Sequence, residues 1–255
     1  MKYIFTLLFS LSIFASTEVT WLGQAATLIE TSEGKKILID PFIYSNPKTP
    51  ESFKKDELYK DIDLILITHG HADHVGDYKK IMTLSPKAKI SMNADMGNVL
   101  MGLKQFSGDR YFPLNKSGEV NPFNDKTKVI MVRAEHSSSV KVDGAIHYGG
   151  EPVGFVIEFS NGKKLYHAGD TGVFADMKMI GSYYKPDLAL LPIGGNYTMG
   201  PKEAAYATDL ISPKMVTPIH FGTFPILKGT PDEFKGYLKN KKILKVLKPG
   251  QSIKL

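Results

Sequence analysis

The chain has 255 residues, of which 42% are hydrophobic and 23% are charged, a composition typical of a folded globular protein. Its formal net charge of +6 comes almost wholly from scattered lysines, because Arg110 and Arg133 are the only arginines; this pattern indicates a solvated surface and argues against a nucleic-acid partner. Cysteine is absent, which excludes disulfides and thiolate metal ligands.

The amino-terminal residues have the pattern of a secretory signal peptide. Lys2 is followed by an apolar run from Ile4 to Phe14 and then by small residues starting at Ala15. The run is too short for a stable membrane span, so we predict a signal peptide at residues 1–16 and a periplasmic or secreted protein. A leader that does not function would leave the protein in the cytoplasm.

Residues 17–255 are predicted to form a single domain in which strands and helices alternate. Apolar, β-branched runs predict strands at residues 18–30, 36–39, 63–68, 129–132, 153–159, 165–166, 188–191 and 216–219. Helices are predicted after residue 75, from Pro201 to about Ile211, and after the capping-box sequence Thr230-Pro-Asp-Glu233. This order predicts an α+β fold with two sheets packed face to face and helices outside.

A dense group of metal-binding side chains follows the predicted strand at residues 63–68, namely His69, His71, Asp73 and His74. In an extended chain, His69 and His71 point to one face and can share an ion, and a following helix would direct Asp73 and His74 to a second position. The alternative is a solvated polar loop. Such a group is rare in a core without metal, since each imidazole or carboxylate would need its own buried partner.

Three further candidate ligands follow other predicted strands. His136 comes after the strand at 129–132, Asp170 after the strand at 165–166, and His220 after the strand at 216–219. A sheet brings the ends of its strands together, so we predict that these side chains join the first group.

These motifs resemble the signature of the metallo-β-lactamase superfamily, His-x-His-x-Asp-His followed by a distant His, Asp and His. The chain more narrowly resembles a family of metal-dependent hydrolases related to L-ascorbate-6-phosphate lactonase, through strings such as Leu38-Ile-Asp-Pro-Phe42, Tyr166-His-Ala-Gly-Asp-Thr-Gly172 and Pro218-Ile-His220. The match runs from about Glu18 to Leu255. It implies the four-layer αββα sandwich of that superfamily.

The resemblance also implies a ligand assignment. One metal ion would be held by His69, His71 and His136, and the other by Asp73, His74 and His220, with Asp170 bridging both. Asp40 matches a position that supports the ligand histidines by hydrogen bonding. Gln24, in Leu22-Gly-Gln-Ala25, departs from relatives that often carry a histidine there.

Three more residues are candidates for a role near the substrate. His167 lies three residues before Asp170 and is predicted to support a ligand or to reach the substrate. Asn196 and Tyr197 lie in a glycine-rich loop that is predicted to shape the pocket, although its glycines could equally serve only the turn.

These residues predict a hydrolase with two divalent metal ions, in which a metal-bridging hydroxide attacks an ester, lactone or phosphodiester of a small-molecule substrate. Zinc is the first choice for imidazole-rich ligation, and manganese and iron are the alternatives. Asp73 is the catalytic candidate that orients the water or carries its proton.

Two other functions compete with this prediction. An exported β-lactamase would fit the leader, and a metal-binding protein without turnover would fit the ligands alone. The sequence predicts no stable membrane span and does not decide between a monomer and a homo-oligomer.

Overall fold

A computed structural model of the chain describes residues 16–255. The predicted signal peptide at residues 1–16 therefore lies, apart from its last residue, outside the described residues. No helix within the described range has the length and apolar character needed to cross a membrane.

The described part of the chain contains fifteen strands, six α-helices and five short 3-10 or π-helical segments. The strands are β1 (Glu18–Gly23), β2 (Ala26–Glu30), β3 (Lys36–Ile39), β4 (Leu64–Leu66), β5 (Lys89–Asn93), β6 (Tyr111–Leu114), β7 (Glu119–Val120), β8 (Lys128–Arg133), β9 (Ser139–Val142), β10 (Ala145–Tyr148), β11 (Val153–Glu158), β12 (Lys164–His167), β13 (Leu188–Pro192), β14 (Met215–Ile219) and β15 (Ser252–Lys254). The helices are α1 (Ala72–Val75), α2 (Tyr78–Leu84), α3 (Ala94–Gly102), α4 (Met177–Met179), α5 (Pro201–Ile211) and α6 (Pro231–Tyr237).

The strands form two large sheets and one separate hairpin. The first sheet has the order β15-β1-β2-β3-β4-β5-β6, the second has the order β14-β13-β12-β11-β8-β7, and β9 pairs with β10. Strands β3 to β6 are parallel, as are β12 to β14. The carboxyl ends of parallel strands lie at the same edge of a sheet. The loops that follow β3 and β4 therefore lie at one edge of the first sheet. The loops that follow β12 and β14 likewise lie at one edge of the second.

The main core lies between the two sheets. Ile37 and Ile39 of β3 point into it and pack with Phe155 of β11 and Leu190 of β13, whereas Leu38 points to the opposite face of its sheet. This alternation follows from the two-residue period of a strand, and it makes the strands apolar on both faces.

Two further apolar layers cover the outer faces of the sheets. Ile81 of α2 and Met96 of α3 pack on the first sheet, and Ala204 of α5 and Phe234 of α6 pack on the second. The order of layers is helix, sheet, sheet, helix. The predicted αββα sandwich is confirmed.

The predicted elements differ from the observed ones mainly at their ends. The strand predicted at 18–30 is divided into β1 and β2 by a tight turn in which Gln24 has a φ of 52°. The helix at 201–211 and the capping box are found as predicted: Thr230 Oγ1 accepts a hydrogen bond from the Glu233 amide at 3.2 Å, and the Glu233 carboxylate accepts one from the Thr230 amide at 3.0 Å.

Candidate metal centre

The seven predicted ligands converge where the ends of the two sheets meet. The first sheet contributes four of them from the segment that follows β4: two lie in the loop before α1 and two lie in α1 itself. The second sheet contributes the residues that follow β8, β12 and β14. They form three overlapping groups whose donor atoms lie within 4.8 Å of one another: His69, His71 and His136; His69, His74 and Asp170; and Asp73, His74 and His220.

Asp170 lies at the centre of this cluster. Its Oδ2 atom is 3.0 Å from His220 Nε2 and 3.3 Å from His74 Nε2. The same oxygen is 3.8 Å from His136 Nε2 and 3.9 Å from His69 Nε2. One carboxylate therefore faces histidines of every group.

Several atoms of the cluster that could coordinate a metal ion are buried and have no hydrogen-bond partner within the described chain. They are His74 Nε2, His136 Nε2 and Asp170 Oδ1. Leaving such atoms unpaired costs roughly 1–3 kcal/mol each. Nitrogen and carboxylate oxygen donors are the ligands that divalent zinc, manganese and iron accept. The donor set and its unpaired atoms thus fit metal ions at this position.

The surroundings of the predicted ligands shift their pKa values in different directions, which favours the charged form of some side chains and the neutral form of others. Burial lowers the pKa of His69 well below its usual value, which keeps that imidazole neutral, as metal binding requires. Burial alone would raise the pKa of Asp170, but the charges of His74 and His220 outweigh it and hold this pKa well below the ordinary range. Burial opposes charge on His220 too, but Asp170 and Asp73 raise its pKa to about 9.

Asp40 supports the cluster from behind, as the resemblance implies. Its carboxylate accepts hydrogen bonds from the Thr68 amide at 2.8 Å and the Thr68 hydroxyl at 2.7 Å. Its Oδ2 also lies 2.8 Å from His74 Nδ1. The contact fixes the His74 ring so that Nε2 faces Asp170.

The other predicted site residues lie in different surroundings. His167 is buried, with Nε2 at 2.9 Å from the Ala25 carbonyl oxygen and Nδ1 accepting from the Gly169 amide at 3.2 Å. Both of its ring nitrogens are occupied, so it holds the loop before Asp170 rather than facing the cavity. Asn196 is exposed and does not line the cavity, whereas Tyr197 lies on its rim.

Gln24 is a site residue to which the sequence assigned no role. Its Nε2 atom donates to Asp73 Oδ2 at 2.8 Å and lies 2.7 Å from His220 Nε2. The side chain is fully buried. The only sequence signal was that Gln24 stands where the resemblance led us to expect a histidine in many relatives.

The cluster forms the floor of a cavity of about 530 Å³. His71, Asp73, His136, Asp170 and His220 reach this floor. The walls are largely apolar and include Phe42, Tyr197, Phe224 and Leu227.

Comparison with known proteins places this fold and cluster in a family. Residues 35–221 match the family model described as the beta-lactamase superfamily domain. The chain belongs to this superfamily. It is 50% identical over 230 residues to a UPF0173 metal-dependent hydrolase of Cupriavidus metallidurans, covering 87% of this chain and 79% of that one. It is 45% identical over 240 residues to a UPF0173 metal-dependent hydrolase of Methanosarcina barkeri, covering 93% and 98%.

Solved structures agree with this membership. Igni18, a metallo hydrolase of Ignicoccus hospitalis, is 34% identical and superimposes with a TM-score of 0.76 over 94% of this chain and 98% of its own. An isothiocyanate hydrolase from Delia radicum gut bacteria shares the fold at 17% identity and a TM-score of 0.70, over 92% and 98% of the two chains.

The chain is therefore a metal-dependent hydrolase, and the predicted superfamily and enzyme class are confirmed. The alternative of a metal-binding protein without turnover loses its support, because the relatives are hydrolases by name. The narrower relation to L-ascorbate-6-phosphate lactonase stays a prediction.

Proposed function

We propose that this hydrolase works with two divalent metal ions and cleaves an ester, lactone or phosphodiester bond of a small molecule. His69, His71 and His136 would hold one ion, Asp73, His74 and His220 the other, and Asp170 both. The observation that carries this proposal is the position of the Asp170 carboxylate, 3.8 Å from His136 on one side and 3.0 Å from His220 on the other. Zinc is our first choice of metal, with manganese and iron as alternatives.

The ions, when bound, would supply a water of lowered pKa as nucleophile and positive charge for the developing oxyanion. The protein residues prepare the site for this chemistry. Asp40 holds the tautomer of His74, and Gln24 holds the Asp73 carboxylate through its amide. Asp73, which lines the cavity, is the group that we propose to orient the attacking water.

Metal content and hydrolysis, measured on the same preparations, test this proposal. Elemental analysis of reconstituted protein should find two ions per chain, together with turnover of a chromogenic ester, lactone or phosphodiester. His71→Ala and Asp170→Ala should lose metal and lower kcat/KM by more than about 100-fold. His147→Ala, in the β9–β10 hairpin, is the matched control and should retain both.

A fully active preparation with one ion or none would refute the two-ion proposal. Turnover of a chromogenic cephalosporin in preference to these substrates would favour the β-lactamase alternative. The signal peptide at residues 1–16, the periplasmic location and the single domain at 17–255 stay predictions; the core shared by the two sheets supports the last of them.

A further inference from the structure

We propose that the cavity selects an uncharged acyl substrate, a neutral carboxylic ester or lactone with a bulky apolar acyl group, and discriminates against phosphorylated compounds. This inference rests on the proposed function and narrows it. It is carried by the chemistry of the cavity walls, which differs from that of the rest of the surface.

An aromatic wall faces the ligand cluster. The rings of Phe42 and Phe224 stack with their centroids 6.3 Å apart and an angle of 30° between their planes. Leu227 is buried beside them in the same lining. Phe224 remains 37% exposed and Tyr197 60% exposed, so apolar area is available at the cavity rim for a ligand to cover.

Both aromatic rings are attached close to residues of the centre itself. Phe42 follows Asp40 by two positions, and Phe224 follows His220 by four. Since Asp40 and His220 are buried and held by hydrogen bonds or close contacts, the wall has a defined position relative to the ligands. An acyl group packed on the rings would keep its carbonyl carbon next to the cluster.

The cavity lacks the cations that recognise phosphate. Although the chain has a net charge of +6, no Lys or Arg among residues 16–255 lines this cavity. Phosphate groups are recognised by Arg forks and Lys ammonium groups, and the charge of the proposed ions is partly offset by Asp73 and Asp170. An anionic group beyond the reacting bond would lose its hydration without gaining a partner.

The remaining polar groups of the lining are neutral. Ser137 and Tyr197 offer hydroxyl groups, which pair with uncharged oxygen atoms such as those of an ester or lactone. The walls therefore provide apolar area and neutral hydrogen bonds, the combination that fixes a neutral ligand in a pocket.

A series of substrates with the same leaving group tests this inference. The p-nitrophenyl esters of acetate, hexanoate, phenylacetate and succinate are compared with bis(p-nitrophenyl) phosphate on the metal-reconstituted protein. We expect kcat/KM for the phenylacetate and hexanoate esters to exceed that for acetate by about 10-fold or more, from buried apolar area. The anionic succinate ester and the diester should fall below acetate.

Variants of the wall connect this preference to the aromatic residues. Phe224→Ala should lower the phenylacetate-to-acetate ratio of kcat/KM by about 10-fold. Tyr237→Ala removes an aromatic ring that is 55% exposed on α6, away from the cavity, and should leave the ratio unchanged. A neutral fluorescent naphthalene ketone should bind metal-free protein several-fold more tightly than it binds metal-free Phe224→Ala.

The outcomes separate the two proposals. Turnover of the diester in preference to every neutral ester would overturn the acyl inference and leave the two-ion hydrolase standing. An unchanged ester ratio in Phe224→Ala, with unchanged binding of the naphthalene probe, would also overturn it. No turnover of any substrate by fully metallated protein would overturn the proposed function and, with it, this inference.

Discussion

At the scale of single residues, the centre depends on side chains that hold the ligands as well as on the ligands themselves. Gln24 adopts a left-handed backbone conformation, with a φ of 52°, and its buried amide reaches two predicted ligands, Asp73 and His220. Such conformations cost roughly 1–3 kcal/mol for a residue other than glycine and persist only where the surroundings enforce them. We infer that Gln24 fixes the geometry of the group formed by Asp73, His74 and His220.

Replacing Gln24 should therefore weaken metal binding. Gln24→Ala is expected to lower the affinity of one ion by about 10-fold, the usual effect of removing a residue that orients a ligand. Competition with a chromophoric chelator measures the dissociation constants of the proposed ions. Gln251→Ala, an exposed glutamine, is the control, and equal dissociation constants in the two variants would contradict the inference.

Asp40 should act through the tautomer of His74. In Asp40→Asn, an amide N–H placed opposite His74 Nδ1 would favour the proton on Nε2, the atom that faces Asp170. We expect metal affinity to fall by about 10- to 100-fold. Nitrogen NMR of the imidazole reports the tautomer directly. A lower melting temperature with the same tautomer and the same metal affinity would indicate a structural role alone.

At the scale of elements, the two sheets contain the same hydrogen bond between an aspartate carboxylate and a strand amide. Asp63, just before β4, accepts a hydrogen bond from the Lys36 amide at the start of β3 at 2.9 Å. Asp187, just before β13, accepts one from the Lys164 amide at the start of β12, also at 2.9 Å. Each carboxylate joins the beginnings of two parallel strands, at the end of the sheet opposite the predicted metal ligands.

The contribution of the Asp187 hydrogen bond to stability depends on pH. Burial raises its pKa, but the hydrogen bond and charge of Lys214 and the Lys164 amide outweigh burial and hold the pKa below its usual value. A carboxyl group whose pKa is lower in the folded state than in the unfolded state stabilises the fold at pH values above its unfolded-state pKa. This stabilisation is lost as the pH falls through its folded-state pKa. Asp187→Asn should cost about 1–2 kcal/mol at pH 7.

The difference in stability between the wild type and Asp187→Asn should shrink toward zero as the pH falls through the unfolded-state pKa and then the lowered folded-state pKa of Asp187. Urea denaturation at a series of pH values measures it. Asp61→Asn removes a carboxylate that is 64% exposed and paired with Lys36, and it should change stability by at most about 1 kcal/mol at any pH. A cost for Asp187→Asn that stays constant down to pH 2 would refute the ionic explanation.

The elements with strong apolar runs were predictable from the sequence. β3 has the predicted bounds, and β8, β11, β13 and β14 lie within one residue of theirs, because their residues are buried on both faces. The elements between α2 and β8, which are β5, α3, β6 and β7, and the short helix α4 were not predicted. The β9–β10 hairpin and the edge strand β15 were also not predicted. Their short segments include exposed side chains such as Ile146, which weakens any hydrophobic pattern.

The convergence of the candidate ligands was predictable from the sequence, but the surroundings of the site were not. The spacing of His69 to His74 and the positions of His136, Asp170 and His220 at strand ends are local features of the sequence. The contact of Gln24 with Asp73 joins residues 49 positions apart, and the stacking of Phe42 on Phe224 joins more distant ones. Such contacts depend on how two loops approach in the folded chain, which no local pattern encodes.

At the scale of the whole molecule, the centre joins the two sheets. The first supplies His69 to His74 and the second supplies His136, Asp170 and His220, so a bound ion pair would link them. A ligand that binds only the folded state at 1,000 times its dissociation constant adds about 4 kcal/mol to the free energy of unfolding.

Metal removal should accordingly lower the melting temperature by roughly 8–16 °C for a domain of this size. Differential scanning calorimetry before and after chelation and dialysis measures the shift, and metal restoration should reverse it. The same treatment of Asp170→Ala should give a much smaller shift. Equal melting temperatures for metal-free and reconstituted wild type would mean that the ions do not link the sheets.

The division of the ligands between the sheets has a consequence for biosynthesis. During translation His69 to His74 leave the ribosome long before His220, so the early segment alone offers only a partial and weak site. If the enzyme holds two ions as proposed, both would be retained only once β14 has joined its sheet, and metal binding would be coupled to the last stages of folding. The compartment in which the chain completes its fold, rather than the one in which it is synthesised, would then determine which metal the enzyme acquires.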